Sequence, residues 1–209
     1  MTGSGLSPYT YVEQSVHSLA EDVIALMDVL SIDKAVFVGH SMSGIVGPEL
    51  AAEWPERIQG LILVGPVWPT SEVAPVFEDR INKVADKGME AMADTVPYAA
   101  VGSKANSLHH AFIRELLLGM EPAGYISLCR VIANAHKSPP KYGKVSCPTL
   151  IIAGEEDKSA PVAGCEKIIE ALGSSQKDMV VMSKCGHWHC IEDPTEVGRL
   201  SIEFLKQIS

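Results

Sequence analysis

The sequence contains no run of basic residues, no internal repeat, no low-complexity tract and no flexible linker. Nor does any apolar stretch approach the roughly 18 residues that span a bilayer, so a membrane-embedded protein is not expected. Lys and Arg total 17 against 26 Asp and Glu, a net charge of −9. That balance offers no electrostatic footprint for nucleic acid, and the acidic excess reads as a solvated surface. The first residues, Met1-Thr2-Gly3-Ser4-Gly5, carry neither the basic region nor the apolar segment of a secretory leader, and Gln207-Ile208-Ser209 does not match the Ser-Lys-Leu peroxisomal address. The expected compartment is the cytoplasm. Five cysteines at irregular spacing (Cys129, Cys147, Cys165, Cys185, Cys190) argue against a disulfide framework and for reduced thiols. What is present is apolar: 46% of 209 residues are hydrophobic and 21% charged, enough for one substantial core.

Apolar residues at Val12, Val16, Leu19, Val23, Met27 and Leu30 recur in steps of three or four and predict a helix. Thr10, with Glu13 three residues on, makes a capping box that starts it near Tyr11. Ala35-Val36-Phe37-Val38 is a short, continuous run of strand-favouring residues that reads as a fully buried parallel strand before Gly39. A helix from Ser43 or Gly44 to about Glu53 and a strand Leu61-Ile62-Leu63-Val64 follow. Pro148 to Ala153 and Met179 to Met182 are further strands, separated by a helix through Val162, Cys165, Ile169 and Leu172 that Gly173 can end. Asp193-Pro194-Thr195-Glu196 opens a last helix burying Val197, Leu200, Phe204 and Ile208. Strands alternating with helices predict an α/β fold, a mostly parallel sheet with helices on both faces. Residues 66–141 show helical periodicity without a convincing strand, far more than a crossover needs, and read as an inserted helical layer.

Chemistry concentrates at three strand ends. In Gly39-His40-Ser41-Met42-Ser43-Gly44 a serine sits between small residues on a strand-to-helix turn, which pushes its hydroxyl out above a helix N-terminus and suits a nucleophile. A hydroxyl needs a base to take its proton, and that base needs an orienting acid. Asp157, beyond the third strand, is the expected acid, with Glu155 and Glu156 as alternatives. His187, beyond the fourth, is the expected base, with His189 as its competitor. His109, His110, Met89 and Met92 could line a substrate pocket, although such spacing also serves packing. A zinc site from Cys185, His187, His189 and Cys190 is disfavoured, because structural zinc ligands come as separated pairs.

Taken together, Gly39 to Gly44, Gly154-Glu155-Glu156-Asp157, and Gly186-His187-Trp188 with Glu192-Asp193-Pro194 resemble the nucleophile elbow, acid loop and histidine loop of the α/β-hydrolase superfamily. The resemblance runs from about Gly3 to the C-terminus, and the only departure in the elbow is Ser43 in place of the usual second glycine. Gly88 to Asp94, Arg114 to Leu117, and Gly124-Tyr125 with Cys129 are similar to the cap of the enol-lactonase and small carboxylesterase branch. The resemblance implies a single domain, 1–209, with the cap inserted at 66–141. It also implies a hydrolase that cleaves a small-molecule ester or lactone through an acyl-enzyme, with Ser41 attacking, His187 carrying the proton and Asp157 holding the imidazole. The Met42 N–H would form half of the oxyanion hole, and His40, Trp68, Met89, Met92, Tyr125 and Trp188 are the expected pocket residues. No metal and no organic cofactor is implied.

Only 40 residues precede Ser41, whereas the superfamily has further strands there and a loop that donates the second oxyanion N–H. The expectation is therefore an N-terminally truncated, partial fold. Loss of one such donor costs roughly 10²–10³ in rate, and Ala35 to Val38 would become an exposed sheet edge. A homodimer through that strand is one expected consequence. A catalytically silent fragment acting by binding or association is the alternative function.

Overall fold

A computed structural model describes residues 1–208. The chain divides into two compact units. One comprises Met1–Val23, Pro69–Ala99 and Asn106–Pro139; the other comprises Ile24–Trp68, Ala100–Ala105 and the chain from Pro140 onward.

The second unit holds a four-stranded, wholly parallel sheet in the order β1 (Ala35–His40), β2 (Ile58–Val64), β3 (Thr149–Gly154), β4 (Lys177–Met182). The two central strands are the apolar runs. Leu61, Ile62, Leu63, Val64, Ile151 and Ile152 are fully buried, each a burial that stabilises by about 1.5–3 kcal/mol. Alternation sends them to opposite faces. Ile62, Val64, Leu150 and Ile152 pack with Val197, Leu200 and Phe204 of α10 (Pro194–Ile208), while Leu63 lies with Phe37 against Gly47 of α2 (Ser43–Glu53). Helices therefore cover both faces, as the alternating pattern predicts. α8 (Val162–Ala171) contributes buried Cys165 and Ile168.

Two expectations change. β1 is the outer strand of the sheet, and Val38 is 59% exposed, so this strand is not fully buried. The first helix, α1, spans Val16–Val29 and begins five residues after Tyr11. Its entry is set by Ser15 and Ser18, whose hydroxyls each accept the other's backbone N–H at 3.0 and 2.9 Å. Tyr11 instead adopts φ 58°, a left-handed conformation that cannot start a right-handed helix.

The other unit is helical: α3 (Ala74–Lys87), α4 (Glu90–Ala93), α5 (Val96–Ala99), α6 (Ser107–Leu118) and α7 (Pro122–Asn134). Asn106 caps α6 by accepting from the Leu108 and His109 N–H groups. Gly3 and Gly124 pass so closely that a Cβ on Gly124 would strike the Gly3 backbone. Among the described residues no single helix is long and apolar enough to cross a membrane.

Candidate active site

The parallel sheet brings the carboxyl ends of its strands to one edge, where Ser41 directly follows β1 and Asp157 and His187 lie in the loops after β3 and β4. β1 ends at His40, and Ser41 takes φ 56° before α2 begins. A non-glycine residue in this region is strained by about 1–3 kcal/mol and persists only where its surroundings over-determine it. Here the Ser41 N–H donates to the Val64 carbonyl at 2.9 Å, and its own carbonyl accepts from the Gly44 N–H at 2.9 Å. Close approach explains the glycines. A Cβ at Gly39 would meet the Ser43 carbonyl oxygen at 2.5 Å, and one at Gly44 would meet Pro66 Cβ at 2.5 Å.

β3 delivers Asp157, which is 5% exposed. Its Oδ1 accepts from the N–H groups of Ser159 (2.8 Å) and Ala160 (2.9 Å), and its Oδ2 lies 2.8 Å from His187 Nδ1. Burial alone would raise this carboxyl's pKa. The hydrogen bond from His187, with the Ala160 N–H, outweighs it and holds the group below its ordinary value. Glu155 and Glu156 are engaged elsewhere: Glu155 accepts from Ser183 Oγ and the Lys184 N–H, Glu156 from the Ser103 hydroxyl and N–H.

His187, 8% exposed, completes the arrangement, with Nε2 2.8 Å from Ser41 Oγ. An ionised carboxylate can only accept, so the proton of the neutral ring sits on Nδ1, and Nε2 presents a lone pair to the serine hydroxyl. The peptide around His187 is equally constrained. Its N–H donates to the Ala100 carbonyl at 2.8 Å. The buried Glu192 carboxylate accepts from the two flanking N–H groups, Gly186 and Trp188, each at 3.0 Å, and from Gly102 at 2.7 Å. Sequence reasoning had no handle on Glu192 beyond its place in the motif, because all three of its partners are backbone groups.

Of the expected pocket residues, His40 and Trp188 lie beside this arrangement, their ring centroids 4.9 Å (His40 to His187) and 5.9 Å (His40 to Trp188) apart. Burial, with His187 adding to it, pushes His40 down to about 3. Met42 is buried at the entry to α2. Trp68 packs against Tyr142 with ring centroids 5.3 Å apart and planes tilted by 39°. Met89, Met92 and Tyr125 are buried in the helical unit, where burial pushes the Tyr125 hydroxyl up to about 12.

Cys185, His187, His189 and Cys190 do not converge as zinc ligands. Both His187 nitrogens are occupied, and burial pushes the Cys185 thiol up to about 12, keeping it protonated. Among the described residues no group of three or more His, Cys, Asp or Glu side chains is placed to hold a metal ion.

A serine hydroxyl, a neutral imidazole and a buried carboxylate in hydrogen-bonded series can move one proton off the serine and hold the resulting cation. Residues 1–200 match the alpha/beta hydrolase family. The chain belongs to that family. It is 30% identical over 199 residues to the 2-hydroxy-6-oxo-6-phenylhexa-2,4-dienoate hydrolase of Comamonas testosteroni, covering 90% of this chain and 68% of that one. It is also 31% identical over 196 residues to 3-oxoadipate enol-lactonase 2 of Acinetobacter baylyi, covering 92% and 71%. Among solved structures, the enol-lactonase of Burkholderia xenovorans superposes with a TM-score of 0.86 at 26% identity, covering 98% of this chain and 78% of that one. A thermophilic esterase of Thermogutta terrifontis shares the fold, with a TM-score of 0.88 at 24% identity over 100% and 78%. The chain is an enzyme of the α/β-hydrolase family with a buried His–Asp pair.

Proposed function

We propose that this chain hydrolyses a small-molecule carboxylic ester or lactone through Ser41, His187 and Asp157. The observation that carries the reading is the continuous series from Ser41 Oγ to His187 Nε2 and from His187 Nδ1 to Asp157 Oδ2, 2.8 Å at each link. In this reading Ser41 Oγ attacks the carbonyl carbon while its proton passes to His187 Nε2. The oxyanion takes the Met42 N–H at the start of α2, where the helix dipole favours negative charge. Collapse expels the alkoxide, which takes the proton back from His187 and leaves an acyl ester on Ser41. Water then attacks that ester with His187 again as base, and the carboxylic acid departs. A lactone gives the ring-opened hydroxy acid by the same two steps. Similarity to an enol-lactonase supports the substrate class. Residues 66–141 are proposed as the cap of a single domain.

A fluorophosphonate probe and a short-chain aryl ester test this directly. Stoichiometric labelling of Ser41, and turnover that disappears in Ser41→Ala, are expected. A folded chain that neither labels nor turns over would overturn the reading and leave the second one, a fold acting by binding or association. The open outer strand β1 favours that second reading, and it supports pairing of two copies through Ala35 to Val38.

A further inference from the structure

Three imidazoles, His40, His187 and His189, crowd together with ring centroids 4.9–6.4 Å apart, and the reaction above uses one. The other two meet at a single backbone atom. The carbonyl oxygen of His187 lies 2.6 Å from His40 Nε2 and 2.9 Å from His189 Nδ1. A carbonyl can only accept, and it has two lone pairs, so each of these nitrogens must carry its ring's proton. We propose that His40 and His189 are positioning residues that hold His187 by its own carbonyl, His40 as the Nε2–H tautomer and His189 as the Nδ1–H tautomer.

The setting of His189 supports this. The ring is fully buried in a slot formed by two glycines at strand ends. A Cβ on Gly65 would meet its Cε1 at 2.7 Å, and a Cβ on Gly154 would meet its Nε2 at 3.1 Å. Gly65 also has φ 50°, so both space and backbone demand glycine there. Among the described residues the Nε2 atom has no hydrogen-bond partner. A proton on it would bury an unpaired donor, which restricts the ring to the tautomer that the carbonyl selects. That buried nitrogen also removes His189 as an alternative base. His40 reaches the same carbonyl from the end of β1, one residue before Ser41. Serine and histidine loops are thereby tied to each other through backbone as well as through the Ser41–His187 contact.

The consequence is geometric. Rotation of the His187 peptide would swing the imidazole away from Ser41 and Asp157 together, and about 1 Å of misplacement can lower a rate by about 10²-fold. Two N–H groups on the carbonyl and the Glu192 carboxylate on the flanking amides oppose that rotation from both sides of the peptide.

The kinetic part rests on the proposed serine mechanism; the tautomer part does not. Long-range nitrogen–proton spectra of histidine-labelled protein at neutral pH should show the Nε2–H form for His40 and the Nδ1–H form for His189. The opposite tautomer at either position would overturn the proposal, whether or not the chain is active. In the kinetic arm, His189→Leu should slow fluorophosphonate labelling of Ser41 by about 10²-fold with probe affinity little changed. His189→Asn, whose amide N–H replaces the Nδ1–H, should recover most of that loss. Equal loss in both variants would mean that packing alone matters and would sink the donor role. If His189→Leu does not fold, His40→Leu against His40→Gln makes the same comparison at Nε2. Failure of the unsubstituted chain to label would count against the serine mechanism, and the spectra would still decide the tautomers.

Discussion

In the proposed mechanism Ser41 gives up one proton to one lone pair of His187, and the Asp157 carboxylate, 2.8 Å from Nδ1, keeps that lone pair on Nε2. Asp157→Asn would leave the fold in place and present an amide where an acceptor is needed, favouring the wrong histidine tautomer. A loss of roughly 10³–10⁴-fold in turnover is expected, with circular dichroism unchanged. A second consequence at this scale concerns acid. His40 binds a proton less readily folded than unfolded, its pKa held at about 3 against an ordinary 6.5, and burial lowers His189 in the same direction. Below pH 6.5 the unfolded chain therefore takes up more protons than the folded one, and stability must fall as pH falls. For His40 the loss continues down to about pH 3. Urea midpoints at pH 7.5 and pH 5 should differ, and His40→Gln, which cannot titrate, should narrow the gap. That Ser41, His187 and an acid from residues 155–157 would meet was legible in the sequence, because each lies beyond a recognisable strand and parallel strands put such positions on one edge. The sequence favours Asp157 among the three acids but offers no reason that excludes its neighbours. Their exclusion depends on Ser183, Lys184 and Ser103, which occupy Glu155 and Glu156 from distant parts of the chain.

Among the elements, the short helix after His187 matters most. α9 (His189–Glu192) is a single turn whose last residue returns a carboxylate to the amides on either side of His187. Glu192→Gln replaces an acceptor with a donor-bearing group in a buried site, leaving an N–H to face an N–H at a cost of about 1–3 kcal/mol. A lower melting temperature is expected, together with slower Ser41 labelling. Unchanged labelling in a destabilised protein would limit Glu192 to stability. The start of α1 gives a cleaner contrast. Both Thr10 with Glu13 and Ser15 with Ser18 can form a reciprocal cap, and local sequence does not choose between them. Tertiary placement of the preceding segment does: Tyr11 is left-handed and its hydroxyl donates to Glu121 at 2.7 Å, tying residues 10–14 into the helical unit as a loop. Ser15→Ala should therefore lower stability by about 1 kcal/mol, a typical capping loss. Thr10→Ala should change it little, and paired denaturation curves would separate the two. The helix from Ser43 to Glu53 was readable to within a residue at its start because the elbow and the strand before it leave only Ser43 or Gly44 to begin it.

At the scale of the whole molecule, the proposed pairing of two copies rests on the outer strand β1. The Ala35 N–H donates to the Arg57 carbonyl and the Ser41 N–H to the Val64 carbonyl, so these face β2. Alternation along the strand then turns Val36, Val38 and His40 away from it. Val38 exposes an apolar side chain, and Leu26, Val29, Leu30 and Ile32 are exposed in the segment that leads into β1. An outer strand of this kind is a template for another strand unless charge or proline blocks it, and β1 carries neither an acid, a lysine nor a proline. The net charge of −9 opposes association over a distance but is screened at ordinary salt, whereas strand pairing acts at contact. The chain should therefore sediment in a concentration-dependent way at moderate ionic strength. Val38→Lys places a charge on that strand, facing solvent, and should shift the distribution to monomer without lowering thermal stability by more than about 0.5 kcal/mol, the usual surface range. Sedimentation velocity on the two proteins decides the matter. A monomer at every concentration for the unsubstituted chain would mean that β1 does not pair with a second copy, and association that survives Val38→Lys would place the contact elsewhere.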